Sequence, residues 1–290
     1  MAKIVAEIGC NHMGNVELAL EMITMAKNCG AHAAKFQKRT IPELLTDEQS
    51  NAPHPCPANA YGPTYGAHRE ALEFTALQHA SLKAKCEEVG ILYCTSVWDV
   101  TSAKEIVALS PALIKVGSPS NLHFEMQKVL RDEYAGEVHI STGMSTPEEI
   151  ERIVGFWEQS DQAKRVVLYA CTSGYPVDFK DVCLLEIVRL QEAYKDRVKS
   201  IGFSGHHLGI AVDMGAIALG ATWIERHFTK NRTFKGTDHS VSLEEAGLRK
   251  LVRDAAALGD ALRLKPASML DVEVATRKKL KFQNEDNGPK

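Results

Sequence analysis

Ser200-Ile-Gly-Phe-Ser-Gly-His-His-Leu-Gly-Ile-Ala-Val-Asp-Met-Gly-Ala-Ile-Ala-Leu-Gly-Ala-Thr-Trp-Ile-Glu-Arg-His-Phe228 is the stretch on which the fold turns. Ser200-Ile-Gly-Phe-Ser reads as a short buried strand. Ile210 to Leu219 reads as a helix, and Trp223-Ile-Glu-Arg-His-Phe as a second strand. A strand, a helix and a strand in so short a span imply parallel pairing through a helical crossover. Both strands also end on polar groups: Ser204 and His206 on the first, Glu225 and His227 on the second.

The same unit recurs in both directions. Upstream, Val5-Ala-Glu-Ile-Gly is strand one, followed by a helix from Val16 that repeats Ala19, Met22, Ile23 and Ala26 at helical spacing. Strand two is Ala33-Ala-Lys-Phe-Gln, and a helix runs from Leu82 to Gly90. Strand three is Ile91-Leu-Tyr-Cys-Thr-Ser, with a helix from Ser102 to Leu109. Strand four is Leu113-Ile-Lys-Val-Gly, followed by a helix through Met126 and Leu130. Strand five is Val138-His-Ile-Ser-Thr-Gly. Thr146-Pro-Glu-Glu then opens a helix with a Thr cap, a Pro in first position and acids in the first turn. Strand six is Val166-Val-Leu-Tyr-Ala-Cys, with a helix from Leu184 to Ala193. After strand eight, Ser242-Leu-Glu-Glu is expected to open the last helix as a capping box.

Eight strand-then-helix units place the chain in the α/β class as a closed (β/α)8 TIM barrel. A doubly wound open sheet is the main competitor, but it rarely keeps eight regular units. The barrel is assigned to residues 1–265 as one domain, with a long excursion after strand two over 38–76. Residues 266–290 are assigned to a C-terminal tail whose polar end, from Asn284, is expected to be disordered.

Composition narrows the function. The 290 residues are 44% hydrophobic and 24% charged, enough apolar material for a sizeable core. A formal charge of −3 gives no electrostatic reason to expect a nucleic-acid or membrane partner. No apolar run is long enough to cross a bilayer, and the N-terminus lacks a signal-peptide pattern. Seven cysteines without a Cys-x-x-Cys pair read as reduced thiols, so a cytoplasmic protein is expected.

Barrel enzymes work at the C-terminal ends of their strands, and polar residues collect there in this sequence. Glu7 closes strand one, Lys35 and Gln37 strand two, and Thr95 strand three. Lys115 and Ser118 end strand four, Ser141 strand five, and Thr172, Ser173 and Tyr175 follow strand six. His206 and His227 end adjacent strands, which lie ~4.8 Å apart. Two inward imidazoles at one height could share a divalent metal such as Mn²⁺, Co²⁺ or Mg²⁺. Structural histidines are the alternative, and that is the reading for His207. Lys35 and Lys115 in one mouth imply an anionic ligand. A phosphate with Ser118, Ser141 and Ser204 as neutral donors suits them best, and neutralisation by Glu7 and Glu225 is the rival.

Several motifs together resemble the sialic acid synthase family: Ala6-Glu-Ile-Gly-Cys-Asn-His-Met-Gly, Ala34-Lys-Phe-Gln, Lys115-Val-Gly-Ser, Ser141-Thr-Gly-Met, Cys171-Thr-Ser-Gly-Tyr-Pro, Gly202-Phe-Ser-Gly-His, Glu225-Arg-His-Phe-Thr and Lys235-Gly-Thr-Asp-His-Ser. The resemblance runs in the family's order from strand one to about Ala261. It implies a homodimeric, metal-dependent enzyme that condenses phosphoenolpyruvate with N-acetylmannosamine or its 6-phosphate. By resemblance, His206 and His227 bind the metal. Lys115, Thr95, Ser118, Ser141, Ser173 and Ser204 hold phosphoenolpyruvate with Lys35 close by. Glu7, Gln37, Tyr175 and Asp238 contact the sugar.

Four departures from the family pattern stand out. Pro119 and Ser120 replace a small residue and a sugar-binding acid. No β-hairpin precedes strand one. The chain ends where the linker to a C-terminal antifreeze-like domain, which lends an Arg to the sugar site, would begin. Cys10 replaces an aliphatic residue and reads as a buried apolar thiol, with a metal-ligand role as the alternative. Arg69, in the long excursion with Arg39, His68 and Glu70, is the candidate to replace the missing Arg or to bind a sugar phosphate. The sequence leaves open a related condensing enzyme for another aldose, and a non-catalytic sugar- or phosphate-binding barrel.

Overall fold

Along the first strand, Ile4, Ala6 and Ile8 turn outward into an apolar shell, while Val5 and Glu7 turn inward. This alternation recurs around the computed structural model, which describes residues 2–282. Eight parallel strands close in sequence order: β1 (Lys3–Gly9), β2 (Ala33–Lys38), β3 (Leu92–Val97), β4 (Leu113–Val116), β5 (Glu137–Ser141), β6 (Val166–Cys171), β7 (Ser200–Gly205) and β8 (Trp223–His227). β8 pairs back onto β1 with Glu7 opposite His227, so no sheet edge is left open. The outer core packs residues such as Phe36, Ile114, Ile140 and Leu168 beneath the surrounding helices. Inside, Val5, Ala33, Cys94, Leu113, Val167, Tyr169 and Trp223 plug the barrel below its mouth.

The helices follow the sequence expectations with local shifts. Helix Val16–Asn28 buries Ala19, Met22, Ile23 and Ala26. Helix Pro147–Glu158 carries the capping box of Thr146 and Glu149. The helix after β3 begins at Val100, because the Asp99 carboxylate accepts from Ser102 N at 2.7 Å and caps it. The last barrel helix, Glu245–Ala261, corrects the expected Ser242 capping box: no side chain caps its start. The Ser242 hydroxyl is buried and committed elsewhere, donating to Asp238 O at 2.7 Å and accepting from Asn11 Nδ2 at 2.9 Å.

The excursion after β2 is not structureless. It contains the short helices Ile41–Leu44, Asp47–Asn51 and Tyr65–Ala71, with Thr46 and Thr64 capping the second and third. Gly14, at φ +74°, lets the β1 loop press against it. A Cβ at that position would lie 2.2 Å from Ala71 O. In the expected tail, helix Asp271–Leu280 forms without burying a residue, and the segment from Asn284 lies outside the described residues. Among the described residues no helix is long and apolar enough to cross a membrane.

Candidate active site

One cavity of about 820 Å³ opens at the C-terminal ends of the strands. Period-two alternation decides what enters it. Glu7 and Lys35 face each other across β1 and β2, Ser96 and Lys115 across β3 and β4, and Ser204 and Glu225 across β7 and β8. Of the residues expected from sequence, Glu7, Lys35, Gln37, Arg69, Lys115, Ser118, Ser141, Ser173, Tyr175, Ser204, His206, His227 and Asp238 all line this cavity. Thr95 does not. Lys35 pairs with Cys94 and Gln37 with Ser96, so the inward positions of β3 are Cys94 and Ser96. Thr95 therefore points away from the mouth, and Ser96 stands in its place. Sequence reasoning also passed over Trp98, His54 and Tyr65, which line the cavity from β3's loop and the excursion.

Four buried charges form the floor. Lys35 Nζ lies 2.7 Å from Glu7 Oε2 and 3.6 Å from Glu225 Oε1, and Lys115 Nζ lies 2.7 Å from Glu225 Oε2. The rival sequence reading of these lysines as partners of Glu7 and Glu225 is thus realised in the geometry. Both ammonium groups also border the cavity, so pairing and ligand binding are compatible. Burial works against the charge on Lys35, but Glu225 and Glu7 outweigh it and raise its pKa. Burial likewise opposes the Glu225 carboxylate, and Lys115 with Lys35 hold its pKa well below the usual range. Glu7 differs: burial dominates and raises its pKa despite Lys35. Its Oε1 accepts from Gln37 Nε2 at 2.9 Å, which fixes both groups at the mouth.

The serines gather beside this floor. Gly143 has no side chain, and a Cβ there would sit 2.5 Å from Ser173 Oγ and 2.6 Å from Ser118 Oγ. The bare backbone at Gly143 therefore lets hydroxyls from the β4 and β6 loops meet beside Ser141. Ser204 Oγ is 3.4 Å from Glu225 Oε1.

The two histidines sit together. The rings of His206 and His227 are 5.4 Å apart, and Tyr175 lies 4.4 Å from His206. His206 Nδ1 is 3.0 Å from Thr172 O, so its proton belongs there and Nε2 keeps a lone pair. Burial, then His227, lowers its pKa to about 4 and keeps it neutral. His227 Nδ1 is buried without a hydrogen-bond partner, 3.7 Å from Asp238 Oδ2. Burial opposes the Asp238 charge, but His227 draws its pKa down. A neutral imidazole, an orphaned ring nitrogen and a nearby carboxylate fit a divalent cation. No group of three or more His, Cys, Asp or Glu side chains is arranged as a complete ligand set among the described residues. His207 is structural, buried between Arg226 (3.0 Å) and Asp213 (3.3 Å).

Cys10, expected as a buried apolar thiol, is only half-buried and has a polar partner. It borders the cavity, and its Sγ accepts from Arg39 Nη2 at 3.0 Å. Arg39 in turn pairs with Glu73 and lies 5.5 Å from the Trp98 ring. Arg69 approaches the same indole at 5.9 Å and is anchored by the Tyr65 hydroxyl at 3.0 Å. The excursion thus brings two guanidinium groups over the mouth. Ser120 does not face the cavity as an acid would: its hydroxyl donates to Trp98 O at 2.9 Å.

Comparison with known proteins agrees with this geometry. The profile of the NeuB family matches residues 22–265. The N-acetylneuraminate-9-phosphate synthase of Drosophila melanogaster is 39% identical over 86% of the chain, which spans 65% of that protein. The human protein of the same name is 36% identical over 96% of the chain and 76% of its own length. The crystal structure of the N-acetylneuraminic acid synthetase of Leptospira borgpetersenii superposes with a TM-score of 0.81 at 27% identity, covering 97% of this chain and 93% of that one. A closed eightfold barrel whose mouth joins paired lysines, a serine wall and two adjacent histidines, matched over most of its length by this profile and these relatives, belongs to the NeuB family.

Proposed function

We propose that the chain is a phosphoenolpyruvate-dependent synthase that forms a nonulosonic acid from an amino-sugar aldehyde and releases phosphate. The observation that supports this best is the single cavity in which Lys35, Lys115 and the serine wall adjoin His206 and His227. Family membership supplies the reaction class. The methylene carbon of phosphoenolpyruvate bonds to the aldehyde carbon, water adds at the adjacent oxocarbenium carbon, and the C–O bond to phosphate breaks. Lys115, Ser118, Ser141, Ser173 and Ser204 hold the enol phosphate and its carboxylate, with Lys35 beside them. Glu7, Gln37, Tyr175 and Asp238 orient the sugar. His206 and His227 would hold a divalent cation (manganese, cobalt or magnesium), which when bound polarises the aldehyde oxygen. The buried charges do not need to reorganise as charge develops, and that is the main source of catalytic power in such sites.

The acceptor we favour is N-acetylmannosamine 6-phosphate. Adding three carbons to a six-carbon sugar turns a 6-phosphate into a 9-phosphate, the product named for the fly and human relatives. Arg69 supports this choice, because it lines the cavity and contacts Tyr65 and Trp98 rather than a carboxylate among the described residues. A cytoplasmic homodimer completes the reading, and a monomer mass in light scattering at micromolar concentration would refute the dimer. The activity is tested by incubating the protein with phosphoenolpyruvate, Mn²⁺ and a panel of aldoses while following phosphate. Release is expected with an N-acylated mannosamine or its phosphate and is abolished by chelator. No release with any aldose overturns the proposal.

A further inference from the structure

Lys115 stands above an aromatic ring. Its Nζ lies 3.9 Å from the centroid of Tyr169, a fully buried residue of the inner plug. That ring is held at its hydroxyl and along one edge. Its hydroxyl is 2.8 Å from His139 Nδ1 on β5. His139 packs edge-on against Trp223 at 4.8 Å and turns Nε2 toward Glu137 at 3.6 Å. Burial lowers the His139 pKa and keeps the ring neutral, so Nδ1 can accept the phenol proton. Along its edge, β7 offers Gly202, where a Cβ would lie 2.9 Å from Tyr169 Cε1. The missing side chain leaves the slot that the ring occupies.

An ammonium group has three donors. One of Lys115's is taken by Glu225 at 2.7 Å. A second carboxylate beneath it would neutralise the group twice over. The face of an aromatic ring attracts a cation through its quadrupole without adding a formal charge.

We propose that Tyr169 is a positioning residue for the anionic substrate. It seats the Lys115 ammonium from below without adding a further negative charge, and leaves one N–H aimed into the cavity for the phosphoenolpyruvate anion. This rests on the reading of Lys115 as a phosphoenolpyruvate ligand. Tyr169 itself touches no substrate.

The experiment uses the full chain and measures the Kd of phosphoenolpyruvate by calorimetry and the KM of the sugar by phosphate release. The variants are Tyr169→Phe, phenylalanines of rising fluorine content at the same position, Tyr169→Leu and Lys115→Met. Fluorination withdraws charge from the ring face while nearly keeping its shape, so a packing role would not register it. The Kd is expected to stay within about twofold in Tyr169→Phe and to climb stepwise with fluorination. It should reach about tenfold in the most fluorinated ring and in Tyr169→Leu, with the sugar KM unchanged. The fluorinated series keeps the test valid if Tyr169→Leu fails to fold. A flat Kd across the series while Lys115→Met loses binding overturns the proposal and leaves the reading of Lys115 intact. Unchanged binding in Lys115→Met overturns both. Equal rises in Kd and sugar KM overturn the proposal in favour of general distortion.

Discussion

At the scale of single residues, charge placement decides the expected behaviour. Lys115→Met removes a buried cation beside the serine wall, so phosphoenolpyruvate should bind roughly 2–4 kcal/mol more weakly. Calorimetric titration checks it, and an affinity matching the parent would move the anion elsewhere. Arg69 carries the opposite expectation. Arg69→Ala should raise the KM for N-acetylmannosamine 6-phosphate about tenfold or more while leaving that for phosphoenolpyruvate within twofold. Steady-state kinetics with both substrates varied decides it; equal effects on the two would remove Arg69 from the sugar site. Most of the site was legible at this scale because a polar residue at a barrel strand end has few other reasons to be there. Thr95 shows the limit. β3 is buried on both faces, so nothing in its own composition tells which face is inward, and one step of phase exchanges Thr95 for Ser96. Trp98 and Tyr65 were missed because an aromatic residue in a loop, or at the start of a helix of seven residues, carries no spacing signal.

At the scale of elements, the excursion after β2 is the part the sequence concealed. Its Pro-, His- and Asn-rich composition reads as loop, and helices of four to seven residues are too short for periodicity to reveal. Tertiary contacts hold them: Arg39 pairs with Glu73, and Gly14 meets Ala71. Gly14→Ala combines a left-handed backbone with a collision, so it should push helix Tyr65–Ala71 away from the mouth. The expected result is faster tryptic cleavage at Arg69 and a higher sugar KM, with protein stability reduced by about 1–3 kcal/mol. Limited proteolysis and denaturant titration test this, and a variant as resistant as the parent would show that the contact does not seat the helix. The Ser242 motif carries a related lesson. A Ser-x-Glu-Glu pattern makes a cap only if the hydroxyl is free, and here the nearby Asp238 carbonyl and the distant Asn11 amide took it first.

At the scale of the molecule, two neutral histidines packed under the excursion link fold stability to pH. His12 stacks on Phe74 at 4.0 Å, and His79 lies 2.8 Å from the Tyr93 hydroxyl. Burial above all lowers both pKa values, each to about 3. The unfolded chain takes up these protons near pH 6.5 and the folded chain refuses them until near pH 3. Stability is therefore full above pH 6.5 and drains as pH falls through that window. Between pH 7.5 and pH 5 each histidine should cost about 2 kcal/mol. Urea midpoints at the two values measure it, and an unchanged midpoint would show that neither site excludes its proton.

The barrel's closure also has a consequence for how the chain comes to be folded. β1 finds one of its two neighbours only in β8, more than two hundred residues later. Until Trp223–His227 has emerged from the ribosome, a growing chain must carry two raw strand edges, on β1 and on β7, each able to template association with another chain. The late strand that seals those edges is the one that carries Glu225 and His227. Completion of the sheet and completion of the charged floor are thus one event, so a stalled nascent chain is both sticky and inert.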